Sequence, residues 1–390
     1  MSLGHACVDV YQGAVAALVP FFVSERAYGY AAASGLVLAA SLLSSLVQPL
    51  LGALADRWAI PWLLPVSTLV AGTGVALSGV CGSYPLTLAA VALSGIGVAA
   101  YHPEAARVAR EASRGSHTAM GWFSLGGNLG FAAAPLLVSA VIATGGLHAS
   151  VLLAVPALAG AALSAAALRA VQSPDTAATG DWTSRDGRRD GRQDGRRDDW
   201  VSFGRLSGAI VCRSIVFVGL SAFVSLYVRQ RTAGGDVSGS AALFVLYLGG
   251  AVGTVAGGRL AGRYGRTTVV RWSYALTVPA VAGVVLVPGP LIYLFVALTS
   301  AGLYVPFSLH VTLGQDYLPR RVGTASGVTL GLAVSVGGVA SPVIGAVADA
   351  TSLQTGLAPL IVLPALGWLL LRRLPEPDLP EAATGGARRG

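Results

Sequence analysis

Twelve mostly apolar runs, each close to the length a helix needs to cross the hydrocarbon core of a bilayer, take up most of this 390-residue sequence. In lipid every backbone N–H and C=O must find its partner within the segment, so such runs fold as membrane-spanning helices. The pattern predicts helices over 4–23, 31–54, 63–81, 86–103, 118–143 and 150–169. A second set follows over 206–228, 241–257, 269–288, 290–311, 323–347 and 356–372. Only 11% of residues are charged, against about 25% in a soluble protein. The 51 glycines suit helices that must approach closely in lipid, where no hydrophobic drive pulls them together.

A formal net charge of +8 would suit a nucleic-acid partner, but the placement of the charges argues against one. All 26 basic residues are arginines, and 22 of them fall in loops and tails that share one side if both termini are cytoplasmic. Arg26, Arg229 and Arg231 fall on the other side, and Arg213 lies within a helix. This asymmetry predicts a multi-pass protein of a cytoplasmic (inner) membrane with both ends inside. Trp58, Trp62, Trp122, Trp272 and Trp368 sit near the same ends, as interfacial anchors do. Cys7, Cys81 and Cys212 are scattered, with neither disulfide nor metal spacing. The first apolar run has no basic leader and contains Asp9, so it reads as a helix rather than a cleavable signal.

Residues 171–204 separate the two sets, and at their centre Asp-Gly-Arg recurs at Asp186, Asp190 and Asp194. A Gly-rich polyampholyte of this kind cannot bury a core, so a flexible cytoplasmic linker is expected. The organisation is then an N-terminal six-helix bundle over 1–170, a C-terminal bundle over 205–373 and a cytoplasmic tail over 374–390.

The halves repeat each other. Gly52 to Arg57 reads Gly-Ala-Leu-Ala-Asp-Arg, and Gly258 to Arg266 reads Gly-Arg-Leu-Ala-Gly-Arg-Tyr-Gly-Arg, starting 206 residues later. Gly130 to Pro135 is echoed by Gly337 to Pro342 at an offset of 207. Two motifs with one offset indicate duplication, in the parallel arrangement of many transporters. The expected architecture is thus twelve transmembrane helices in two pseudo-symmetric six-helix bundles.

These residues carry a family resemblance. The Gly52–Arg57 loop and its second copy resemble the signature of the major facilitator superfamily, and Gly130 to Pro135 resembles that superfamily's antiporter element, with Ala134 in place of the usual Gly. More narrowly, the chain resembles the fosmidomycin resistance family of efflux proteins. The segments that carry this are His5 to Pro20 with Asp9, Gln48-Pro49, Tyr101 to Ala105, Gly126 to Gly130 and Gln315 to Pro319. Ala59, Ile60 and Pro61 depart from the superfamily loop, and Gly262 replaces its acid in the second copy. The resemblance implies that Gly52, Asp56, Arg57, Gly258, Arg263 and Arg266 form gating loops that interlock the halves.

Ionisable groups within a membrane are costly, at about 2.5–3.5 kcal/mol on insertion scales, so each is a functional candidate. Asp9, with Gln12 on the same helical face, could exchange a proton as antiport requires, or lie hydrated near the interface. Arg213 could bind an anionic substrate, pair with Asp9, or snorkel to the cytoplasmic face. His102 and Glu104 close the fourth helix, and His310 lies 208 residues after His102. These histidines could serve proton handling or the cavity mouth, or be satisfied structural groups. Asn128 could contact substrate or a neighbouring helix. Gly126, Gly127, Gly130, Pro135, Gly337 and Pro342 suit close packing and bending.

There is no phosphate-binding Walker loop, no metal-spaced His/Cys set and no Gly-x-Ser-x-Gly turn, so neither an enzyme nor a cofactor is expected. Two halves around a midplane site point to a carrier rather than a channel. The expectation is a monomeric secondary transporter using protons to expel a small toxic compound such as a fosmidomycin-like phosphonate. Uptake of a small anion or metabolite by symport is the alternative.

Overall fold

The structure, a computed structural model, describes residues 1–57, 60–113, 117–171 and 197–377. The first half comprises α1 (Ser2–Arg26), α2 (Tyr30–Arg57), α3 (Leu63–Ser78), α4 (Tyr84–Ser113), α5 (His117–Ile142) and α6 (Ala154–Val171), the last entered through a 3-10 stretch, Gly146–Leu153. The second half comprises α7 (Trp200–Arg231), α8 (Gly235–Tyr264), α9 (Arg266–Leu286), α10 (Ile292–Tyr304), α11 (Phe307–Tyr317), α12 (Val322–Ala350), α13 (Leu353–Leu357) and α14 (Val362–Leu371).

Besides the sixth, two of the expected crossings are broken into pieces. The tenth spans α10 and α11, interrupted where Pro306 caps the start of α11, since proline has no N–H to continue the ladder. The twelfth runs through α13, a short 3-10 stretch and α14, over Leu353–Leu371. Among the described residues ten segments have the length and hydropathy to cross a membrane, and Tyr30–Leu43 of α2 and all of α3 are shorter apolar helices. Together they make the twelve crossings in two six-helix bundles.

The duplication is visible in the packing. α1 lies along α5 as α7 lies along α12, and α3 lies along α4 as α9 lies along α10. Each of the first two contacts depends on a glycine: a Cβ at Gly130 would collide with the Ala6 carbonyl, and one at Gly337 with the Ser214 carbonyl. Between the halves, α2 packs on α12 and α5 on α8. Where the chain turns from α8 into α9, Gly265 has φ 83° and ψ 148°, a conformation that side chains resist.

The centre of the expected linker, 172–196, lies outside the described residues. Its end does not stay open up to residue 205: α7 begins at Trp200, because the Asp199 carboxylate accepts from the Ser202 N–H and caps the helix. The Asp199 N–H in turn donates to the Tyr317 carbonyl at 2.7 Å, tying the start of α7 to the end of α11. The same end of the bundle carries the C-terminal strap, whose Pro375 carbonyl accepts from the Tyr317 hydroxyl. Glu376 accepts from the Thr267 N–H and hydroxyl, and Arg271 donates to the Leu371 and Leu374 carbonyls. Trp62, Trp122, Trp272 and Trp368 are exposed on the outer surface, as anchors facing lipid are.

Candidate functional site

Three helices bring a carboxylate and two imidazoles together in the first half. Asp9 sits two turns into α1 and is 8% exposed. His5, one turn before it, approaches with Nε2 3.3 Å from Asp9 Oδ2. His102 on α4 approaches from the other side, with Nε2 3.1 Å from Asp9 Oδ1. Gly127 makes room for them, because a Cβ there would lie 2.6 Å from the His5 ring.

The hydrogen bonds of the two rings fix their tautomers. His5 Nδ1 lies 2.9 Å from the Phe123 carbonyl on α5, and His102 Nδ1 lies 2.7 Å from the Val98 carbonyl one turn back on α4. A carbonyl can only accept, so both Nδ1 atoms carry hydrogen and both Nε2 atoms of the neutral rings present a lone pair to Asp9. With no added proton, three acceptors face one another. These atoms lie within 4.8 Å of one another, so a metal ion could bridge all three, whereas one proton joins Asp9 to a single ring and a second is needed for the other. His5 also stacks on Phe123 at 4.2 Å between ring centroids, which holds the cluster against α5.

Above this cluster a cavity of about 460 Å³ lies between the halves. Tyr11, Gln12 and Val15 of α1, Ser41 of α2, Ser94 and Val98 of α4 and Phe131 of α5 line one side. Phe217 and Ser221 of α7, Tyr247 of α8, Phe307 of α11 and Leu330 of α12 line the other. Among the described residues its lining has no charged side chain. Val98 belongs to both features: it lines the cavity, and its carbonyl accepts from His102.

The structure sorts the remaining candidates. Gln12 faces the cavity. Glu104 is fully buried, but its carboxylate is taken by Arg107 one turn on, and it does not join the Asp9 group. Arg213 neither snorkels nor meets Asp9: it is 4% exposed, donates from Nε to the Leu303 carbonyl and lies over the faces of Phe217 and Phe307. His310 is buried beside Tyr274. Asn128 Oδ1 lies against Gly250 at the α5–α8 contact between the halves. Gly126 and Gly130 abut the α1 backbone, and Pro135 and Pro342 lie inside α5 and α12.

Of the gating motifs, the backbone of Gly52, Asp56 and Arg57 ends α2, and their side chains lie outside the described residues. In the second copy a Cβ added at Gly258 would meet nothing within 4 Å, Arg263 lies over the Tyr264 ring, and Arg266 bridges Asp316 and Glu376.

Two features escaped the sequence reading. His5 stood only as the edge of a motif, although its i, i+4 spacing from Asp9 places both on one helical face. The other is at the face opposite the termini. There the Asp349 carboxylate, ending α12, accepts from the Tyr30 N–H at 2.7 Å and the Ala31 N–H at 2.9 Å, capping α2 across the two halves. Gln230 adds a hydrogen bond from Nε2 to the Tyr30 hydroxyl.

Comparison with known proteins places these features in a family. Residues 1–342 match the Major Facilitator Superfamily. The chain is 29% identical to the fosmidomycin resistance protein of Escherichia coli (strain K12) over 387 residues, covering 95% of this chain and 91% of that one. It is 27% identical to an uncharacterized MFS-type transporter of Bacillus subtilis (strain 168), over 94% of this chain and 89% of that protein. Among solved structures, a bacterial homolog of the human lysosomal transporter Spinster, inward-facing and unoccupied, superposes with a TM-score of 0.75 at 15% identity, covering 98% of this chain and 97% of that one. The nucleoside transporter NupG superposes with a TM-score of 0.73 at 12% identity, covering 96% and 98%.

Proposed function

The chain belongs to the major facilitator superfamily, and we propose that it works there as a proton-coupled exporter of a small toxic compound by alternating access. The observation that carries the reading is the His5–Asp9–His102 group, directly below the central cavity and short of a proton when all three groups are in their unprotonated forms. A proton taken up there changes the charge beside Gln12 and Val98 in the cavity wall, which gives proton and cargo a means to influence each other's binding. Asp9 and His102 carry the proton, His5 shares it, and Glu104 supports α4 through Arg107. Gln12 and Asn128 contact cargo or hold the interface that frames it, with Arg213 and His310 behind the opposite wall.

In this reading both termini face the cytoplasm, the chain works as a monomer in the inner membrane, and residues 171–204 link the halves. The Asp349–α2 cap then closes the outer side, and the loops at Gly52–Arg57 and Gly258–Arg266 govern the inner one. The similarity to the fosmidomycin resistance protein favours efflux of a phosphonate antibiotic.

The test is growth inhibition across a drug panel that includes fosmidomycin, in a host without its own pumps, comparing the wild-type chain with Asp9→Asn at equal membrane expression. Raised tolerance abolished by Asp9→Asn is expected. Unchanged tolerance to every compound, with folded protein in the membrane, would reject export and leave metabolite uptake by symport as the reading.

A further inference from the structure

The second half buries a cation that, among the described residues, has no anion beside it. Arg213 is 4% exposed, and among the described residues no carboxylate pairs with it. Among the described residues its guanidinium donates one hydrogen bond, from Nε to the Leu303 carbonyl. It also lies over the faces of Phe217, at 5.8 Å, and Phe307, at 5.0 Å. Aromatic faces and a single carbonyl are weak substitutes for an anion around a group with so many donors.

Two more polar groups near it are unsatisfied. Among the described residues His310 Nε2 and the Tyr304 hydroxyl are buried without a hydrogen-bond partner; Tyr304 packs on the Phe217 ring that Arg213 lies over, and His310 packs on Tyr274, which lines the same gap as Arg213. Buried polar atoms in native proteins are rarely left alone unless something else meets them in another state. The neighbourhood is closed here: Tyr304 packs edge-on to Phe217 at 5.4 Å, and the gap beside Arg213 holds only about 10 Å³. Yet Phe217 and Phe307 are themselves walls of the large cavity, so these two rings stand between the guanidinium and the cavity.

We propose that Arg213, Tyr304 and His310 form an anion-binding subsite in the C-terminal half, closed in this state by Phe217 and Phe307, which takes a compact oxyanion group of the cargo. A phosphonate, phosphate or carboxylate presents several acceptor oxygens, and the guanidinium fork matches such groups in two-pronged fashion. The cavity, uncharged and mostly apolar in its lining, holds the rest of the molecule. The two halves thus divide the work: the first handles the proton through Asp9, the second handles the anion through Arg213. This rests on the proposed export function only in assuming that the central cavity carries the cargo.

The experiment is equilibrium binding to the purified full chain at one pH with no gradient, followed by thermal stabilisation. The probes are fosmidomycin, methylphosphonate, inorganic phosphate and the uncharged dialkyl ester of fosmidomycin. Stabilisation by the anions and not by the ester is expected, with binding about 10- to 150-fold weaker in Arg213→Gln, the factor carried by a hydrogen bond to a charged group. Arg213→Lys, which keeps the charge but not the fork, should fall between and guards against misfolding of the glutamine variant. Equal binding of the ester, undiminished anion binding in both Arg213 variants, or no stabilisation of the wild-type chain by any anion would each overturn the subsite. Anion binding through Arg213 in a chain that confers no drug tolerance would keep this inference and reject the export function.

Discussion

His102 Nε2 on α4 lies 3.1 Å from Asp9 Oδ1 on α1, although 93 residues separate them in the chain. Because His102 Nδ1 is committed to the Val98 carbonyl, the nitrogen facing Asp9 is the one that must gain or lose a proton. The contact therefore changes from repulsive to attractive as one proton arrives, and it does so between two helices that both line the cavity.

Removing the acceptor should uncouple the carrier. Asp9→Asn is expected to cut proton-driven efflux by about 100-fold, the scale on which a positioned proton-transfer group acts. His5→Phe preserves the ring stacked on Phe123 and removes the titrating nitrogen, so it should lower efflux while leaving the fold intact. Proteoliposome transport under an imposed pH gradient, with circular dichroism as the folding control, measures both. Wild-type rates in Asp9→Asn would exclude the group from coupling.

The close helix contacts should tolerate no methyl group. Gly130→Ala and Gly337→Ala each press a Cβ into a neighbouring backbone carbonyl, and each should lower stability by about 1–3 kcal/mol. Gly121→Ala in α5 meets nothing within 4 Å and should be neutral or stabilising by about 0.5–1 kcal/mol, since alanine suits a helix better. Thermal unfolding in detergent compares the three.

The cap between Asp349 and the start of α2 should hold the face opposite the termini shut. Asp349→Asn weakens two hydrogen bonds from backbone N–H groups, at a cost of about 1–2 kcal/mol, which shifts the open population at that face about 5- to 30-fold. The rate of thiol labelling at Ser34→Cys, a buried position on α2, in a chain whose native cysteines are replaced, reports the shift. An unchanged rate would mean that other contacts keep the face closed.

The C-terminal strap should release in acid. Partial burial pushes the Glu376 carboxyl up, but hydrogen bonds from Thr267 and Arg266 outweigh it and hold the carboxyl below the usual carboxylate range. A depressed folded-state value means that the strap's contribution is complete above the ordinary carboxylate range and is lost as pH falls through the lowered value. Hydrogen exchange at the Thr267 N–H, which Glu376 accepts at 2.7 Å, should stay protected at neutral pH and lose protection in acid. Glu376→Gln should reduce that protection at neutral pH and flatten the pH dependence.

The number and order of the crossings were determined by the sequence alone. Lipid leaves a backbone of about twenty apolar residues little choice but a helix, and the shared offset of 206–207 residues made the duplication legible without coordinates. Single candidates were legible too: Asp9, His102 and Arg213 stood out because a polar group in an apolar run is costly. Only the tertiary structure decided which of them meet. Hydropathy does not record how each helix is rotated or how closely it approaches its neighbour, and those are set by contacts such as Gly127 against His5 and Gly130 against Ala6. The packing therefore gave Asp9 to His5 and His102 rather than to Arg213, handed Glu104 to Arg107, and left Arg213 enclosed by phenylalanines. It also brought Asp349 to the start of α2, some 319 residues away in sequence, where no local pattern could point to it.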